Sequence, residues 1–200
     1  MLLIVGPGGA GQTKFMEFLS LNGIKTNKAN DSDGLKHLSS PSISKYRRNK
    51  EIYKVIYIYT SLYDSIKSLF RRRWTSLQCK KLKNPYLLTS NEMNNINLFS
   101  SLVKKHKKDV LGMHDQFLNW LNGDTCGKEV LFIHSGDIEN NQQLICDFIG
   151  MDINFENYLE GSSKRKSKNI HFDEEVMEIY NNIDNDMRQH STFIKSKNDL

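Results

Sequence analysis

Three short apolar runs constrain this chain most: Leu2-Leu3-Ile4-Val5, Val55-Ile56-Tyr57-Ile58-Tyr59 and Val130-Leu131-Phe132-Ile133. None alternates with polar residues. A strand with one wet face reads with period two, whereas a strand covered on both faces reads as a continuous apolar run, the mark of a parallel sheet. A helix-like segment follows each run, which is the pattern of βα units. Helices are expected from Gln12 or Thr13 to Leu21, and after Thr60-Ser61 with Leu62, Ile66, Leu69 and Phe70 on one face. Further helices are expected over Asn91–Lys105, Asp109–Leu121 and about Asp137–Ile149, with Gly150 as the C-cap. The last helix is the best signed. Asp173 is a natural N-cap, Phe172 can staple onto Met177, Glu174 and Glu175 suit the positive helix start, and Val176, Ile179, Tyr180, Ile183 and Met187 share a face. Residues 24–50 and 75–95 read as polar, irregular loops, the segments that often carry substrate contacts in such domains. The expectation is one α/β domain over residues 1–190, a mostly parallel sheet flanked by helices, with a frayed tail at 191–200.

Composition narrows the function classes. With 200 residues, 38% of them hydrophobic, the chain can bury a real core and need not be disordered. No apolar run approaches the roughly 18 residues of a membrane span. The N-terminal apolar run lacks a preceding basic residue, so it is not read as a signal peptide. Cys79, Cys126 and Cys146 are too few and too scattered for a disulfide framework or a zinc site. The histidines form no HxxxH or HExxH pair, so no metal is expected. A cytoplasmic protein is the expectation, in the host cytoplasm if the source is viral. The net charge of +5 favours anionic partners. Nucleic acid is not expected, since no recognised module interleaves basic and aromatic residues on one surface.

The segment that can carry chemistry is Gly6-Pro7-Gly8-Gly9-Ala10-Gly11-Gln12-Thr13. It leaves the first strand and opens the first helix. Glycines there let the backbone wrap a phosphate with its N–H groups and the helix N-terminus turned inward. The spacing is that of a P-loop, except that Gln12 stands where the lysine of that motif would be. Gln12 can donate hydrogen bonds to phosphate and brings no charge.

A second stretch is Tyr57–Trp74, with Asp64 and Ser68 at offsets of four and eight from Thr60. A third has the late strand Val130–Ile133, a helix ending Phe148-Ile149-Gly150, and a basic loop with Lys164, Arg165 and Lys166. Taken in order over residues 1–190, this set resembles the sulfotransferases, which use the activated sulfate donor PAPS on a P-loop-like α/β fold. The first loop matches their pattern at Gly6, Pro7, Gly11 and Thr13. The resemblance implies that the loop, Gly6, Gly8, Gly9, Ala10, Gly11, Gln12 and Thr13, holds the donor's 5′-phosphate. It implies that Thr60, Ser68, Lys164, Arg165 and Lys166 lie at the donor's 3′-phosphate, and that PAP is the product. His37 falls where many members carry a histidine, which makes it the candidate base for the acceptor's proton. The expected partners are a nucleotide-type sulfate donor and a small-molecule or carbohydrate acceptor with a hydroxyl or amine.

The departures fall on the charged positions. Gly9 stands where the family has its loop lysine, and Thr60 where it has its strand-end arginine. Sulfuryl transfer is an in-line displacement that depends on cations near the bridging oxygen. Lys14 is expected to point away from the loop's concave face. Lys36 and the Arg71–Arg73 run are the candidates to bring charge from elsewhere. Two alternatives stay open: a P-loop nucleotide or nucleoside kinase relative, and a catalytically silent nucleotide-binding or protein-interaction domain. A cation at the loop's mouth would favour an enzyme.

Overall fold

A computed structural model describes residues 1–83, 90–156, 158 and 170–196. The three apolar runs form β1 (Leu2–Val5), β2 (Lys54–Tyr59) and β3 (Glu129–His134), paired in parallel in that order. Consecutive residues split cleanly between faces. Leu3, Val5, Val55, Tyr57, Tyr59, Val130 and Phe132 enter one core, and Leu2, Ile4, Ile56, Ile58, Leu131 and Ile133 the other. That division is why no polar residue interrupts the runs.

On the second face lie α1 (Gln12–Leu21) and the helix Gln142–Ile149. The first face is covered by Leu62–Arg72, Thr75–Leu82, Ile96–His106, Met113–Asn122 and Glu174–Arg188. Counting the short helices Ser44–Arg47 and Ser90–Met93 as α2 and α5, the remaining helices in chain order are α3 (Leu62–Arg72), α4 (Thr75–Leu82), α6 (Ile96–His106), α7 (Met113–Asn122), α8 (Gln142–Ile149) and α9 (Glu174–Arg188). The result is an α/β sandwich with the sheet as its middle layer.

Several expectations are corrected in detail. Residues 75–95 are not irregular where described, since α4 and α5 occupy much of them. Around Asp137 the chain makes two 3-10 turns, Ser135–Asp137 and Glu139–Asn141, and the α-helix starts only at Gln142. Asp173 does cap α9, its carboxylate accepting from the Val176 N–H at 3.0 Å. Phe172, however, packs inward against Tyr63, Phe70 and Phe99, while Met177 is exposed. The tail is not frayed throughout: Ile194–Lys195 forms β4, antiparallel on the free edge of β3. Residues 197–200 lie outside the described ones.

Chain order around β1 positions the site. After α1 the chain returns to one side of β1, where Thr26 bridges Leu2 in parallel. It then crosses to β2 on the other side of β1. β1 is thus flanked by chain that left it in opposite directions, which makes its carboxyl end a topological switch point. In open parallel sheets the crevice at such a point is where ligands bind.

Candidate functional site: a basic cleft at the glycine loop

The loop 6–11 leaves the carboxyl end of β1 and packs tightly before α1 begins. Gly6 has a φ of 149°, and a Cβ there would sit 2.0 Å from the Ile58 carbonyl oxygen. Gly9 has a φ of 98°, and a Cβ there would sit 3.0 Å from the Ser65 Cα. Both approaches are to backbone, so no rotamer change relieves them. The loop is clamped between β2 and α3. Gly11 precedes α1 without a side-chain cap, and the first turn carries no acidic residue. An uncapped helix start presents orphan N–H groups and the positive end of the helix dipole.

Three buried polar groups surround this loop without a hydrogen-bond partner among the described residues: Gln12 Nε2, Gln78 Nε2 and Ser65 Oγ. Gln12, Gln78 and Ser65 are 2%, 3% and 0% exposed. Buried donors are nearly always paired, so a cluster of three at one loop points to something that the protein atoms alone do not supply. Gln12 and Gln78 both line a cleft of about 910 Å³ that opens over the loop.

The walls of this cleft are basic. Lys14, Lys36, Arg71, Arg72 and Lys81 line it, against Glu17 and Asp31. Lys36 reaches in from the 24–50 segment. Its ammonium donates to Thr13 Oγ1 at 2.7 Å and to the Ala29 carbonyl at 2.6 Å. Burial, the largest influence on it, pulls its pKa below the usual lysine value. Asp31 organises the segment: one carboxylate oxygen accepts from the Lys36 backbone N–H at 3.0 Å, the other pairs with Lys81 of α4 at 2.5 Å. Lys14 sits with its ammonium 4.3 Å from the Tyr158 ring centroid.

His37 follows Lys36 and ties the segment to the loop. Its Nδ1 lies 2.9 Å from the Gly6 carbonyl oxygen, which can only accept, so Nδ1 carries the proton. Burial is the main reason its pKa falls to about 4, and nearby Lys81 and Lys36 add to the drop. A ring this weakly basic is neutral at pH 7 and a poor acceptor for a hydroxyl proton. Its visible task is to hold Gly6 and Lys36 in register, helped by the Gly6 N–H donating to the Lys36 carbonyl at 3.2 Å.

The opposite wall comes from α3 and α4. Ser68, Arg71 and Arg72 line it from α3, and Trp74, Leu77, Gln78 and Lys81 continue it through α4. The Arg72 Nε donates to the Ser68 carbonyl at 3.1 Å, and its guanidinium lies 4.4 Å from the Trp74 ring centroid.

The cleft therefore gathers Gly8, Gly9, Gly11, Gln12, Thr13, His37 and Ser68 among the residues singled out from sequence. Gly6 lies beneath the loop against β2, and Ala10 is buried in the core shared with α1 and α8. Thr60 does not line the cleft. Asp64 is exposed and pairs with Lys67 at 2.9 Å. Lys164, Arg165 and Lys166 lie outside the described residues. Sequence reasoning missed Asp31, Ser65, Gln78 and Lys81. Asp31 and Lys81 are 50 positions apart and nothing local links them.

Among the described residues no cluster of three or more His, Cys, Asp or Glu side chains is placed to hold a metal ion. No helix among them is long and apolar enough to cross a membrane. No family model, no curated protein and no solved structure matches this chain.

Proposed function

We propose that this cleft binds the activated sulfate donor PAPS and that the chain is a sulfotransferase-like protein on a P-loop-type fold, passing a sulfuryl group to a hydroxyl or amine. The observation that carries the reading is the glycine loop at the switch point, with unpartnered buried Gln12 and Gln78 amides beside it and the Lys36 ammonium on Thr13. Polyanion recognition is what such a set is built for: backbone N–H groups and a helix start for phosphate oxygens, side-chain amides for further oxygens, and cations for the charge. The residues present fit a phosphorylated nucleotide. The loop N–H groups of residues 8–13 would hold its 5′-phosphate, and Ser68, with Arg71 and Arg72 beside it, its 3′-phosphate.

In the transfer, the bond from sulfur to the bridging phosphate oxygen breaks as a bond from sulfur to the acceptor oxygen or nitrogen forms. The acceptor's proton passes to water, and negative charge grows on the phosphate left behind. Cations fixed near that oxygen stabilise the charge because the cleft has already paid their ordering cost. A second reading, nucleotide binding without turnover, draws on the low basicity of His37.

Calorimetric titration with PAP, beside ATP with Mg²⁺, tests the reading. Binding of PAP in preference to ATP is expected. Preference for ATP would move the chain to the kinase class. Binding of PAP without sulfate transfer to any hydroxyl or amine in an acceptor screen would select the silent reading. Binding of neither would leave the loop as architecture alone.

A further inference from the structure

A lysine at the loop position where a sulfotransferase-like chain would carry it would be strained here. A side chain at position 9 starts 3.0 Å from the Ser65 Cα, on a backbone with a φ of 98°. Both strains are fixed by the packing of loop on α3 rather than by a movable side chain. The missing charge at Gly9 is thus a consequence of how this loop is seated, and not simply a lost group.

Lys36 ends in the same cleft as the uncharged loop position Gly9. Its Nζ lies 2.7 Å from Thr13 Oγ1, on the first turn of α1, and the residue is 8% exposed. An ammonium has three N–H groups. Two are given to neutral oxygens, those of Thr13 and Ala29, which leaves one. No carboxylate among the described residues pairs with it, because the nearby Asp31 carboxylate is taken by Lys81 and by the Lys36 backbone N–H. Asp31 and Glu17 favour the Lys36 charge from a distance, but burial with Lys81 and Arg72 nearby outweighs them, and an anion at the same spot would offset that cost. The unpartnered Gln12 amide, one residue before Thr13, lies against Gly6 of the same loop and is a second donor without an acceptor at this site.

We infer that Lys36, delivered from the 24–50 segment of the same chain, is the cation that contacts the bound anion's phosphate at the loop, taking the place of the lysine that the loop disfavours. This rests on the reading of the loop as an anion site. Asp31 is then a positioning residue. It orders the segment through the Lys36 N–H and anchors it to α4 through Lys81, so that the ammonium arrives at Thr13 with little freedom left to lose. His37 fastens the other end of the same short segment to Gly6.

The test is titration calorimetry with two probes, PAP and inorganic pyrophosphate, on the wild-type chain, Lys36→Met, Lys36→Arg and Thr13→Val. Lys36→Met is expected to weaken both probes roughly tenfold or more, since a charge-assisted contact is lost. Lys36→Arg keeps the charge and should retain most of the affinity. Thr13→Val removes only the oxygen that aims the ammonium and should fall between them. Lysine placed at position 9 of the Lys36→Met chain should not restore binding. Melting temperatures without ligand report whether each variant folds. Should Lys36→Met fail to fold, the wild-type chain labelled with ¹³C-lysine decides, because the Lys36 Cε resonance must move on adding either probe. Unchanged affinity in folded Lys36→Met, recovery by Gly9→Lys, or a Cε resonance that stays still overturns the inference while PAP binding stands. Pyrophosphate binding that depends on Lys36, without PAP binding, keeps the inference and overturns the PAPS reading. No binding of either probe by the wild type overturns both.

Discussion

At the scale of single residues, His37 and Gly6 carry measurable consequences. The pKa of His37 is depressed from 6.5 to about 4 in the fold. Between those values the unfolded chain binds more protons than the native one, so stability rises with pH across that window. The contribution is fully present above about pH 6.5 and is lost as pH falls toward 4. Its size is on the order of 3 kcal/mol, from about 1.4 kcal/mol per pKa unit. Urea midpoints measured from pH 4 to 8 should climb for the wild type. In His37→Asn, whose amide can still donate to Gly6, the climb should be shallower. A residual slope is expected, because burial depresses His134 as well. A slope unchanged by the substitution would assign the effect to other groups. Gly6→Ala tests the clamp on the loop. Its Cβ meets the Ile58 carbonyl oxygen at 2.0 Å, and the residue's φ of 149° suits only glycine. Overpacking plus backbone strain should cost about 2 kcal/mol or more, read as a lower denaturant midpoint with an unchanged slope.

At the scale of elements, the helix starts show how side chains remote in sequence complete local structure. Asp109 is 3% exposed, and its carboxylate accepts from the N–H groups of Leu111, Met113 and His114 and from the Tyr180 hydroxyl. Every partner donates, which favours the ionised form against the burial that raises the Asp109 pKa. Asp109→Asn turns an amide NH₂ toward those donors. It should destabilise the fold by about 2–4 kcal/mol, the range for leaving charge-assisted buried groups unpaired, and hydrogen exchange should quicken first at the start of α7. Asp184 of α9 performs the same service for α3, accepting from the Ser61 hydroxyl and the Leu62 N–H at 2.6 Å each.

These elements also explain what could be read in advance. The strands were legible because both faces are apolar, and α1, α3 and α9 because their stripes are. α4 was not. Its buried side is Thr75, Ser76, Gln78, Cys79 and Leu82, while Leu77 is exposed. A helix that lines a polar cleft buries polar residues, so its amphipathic signal is weak for the same reason that it matters to the site. The loop 6–13 and Lys36 stood out in the sequence, by spacing and by charge. Gln78, Ser65 and the Asp31–Lys81 pair did not, because folding alone brings them to that loop.

At the scale of the whole molecule, the sheet is closed at one edge by very little chain. β4 is two residues long, yet Thr192 and Phe193 extend its pairing, with the Thr192 N–H donating to the Phe132 carbonyl and the Phe132 N–H to the Phe193 carbonyl, each at 2.8 Å. Lys195 is the deeper tether. It is 3% exposed, and its ammonium donates to the carbonyls of Leu121 and Gly123 at 2.9 and 2.6 Å, at the carboxyl end of α7. A cation there meets both the unpaired carbonyls and the negative end of the helix dipole. Lys195→Met should therefore cost about 1–3 kcal/mol. Removing residues 191–200 should cost more, because it also bares the edge of β3. Exposed strand edges pair with other chains, so the truncated protein should scatter light on warming before its circular dichroism signal is lost. Lys195 pairs with Val130, near the amino end of β3, whereas the loop and Lys36 lie past the carboxyl end of β1 in a parallel sheet. The two changes thus separate stability from binding. If the cleft binds PAP as proposed, then at a temperature where each variant remains folded its PAP affinity should match the wild type within about twofold, as expected for sites with no shared partners. A matched loss of affinity would mean that the edge strand and the cleft are coupled through the sheet rather than independent parts of it.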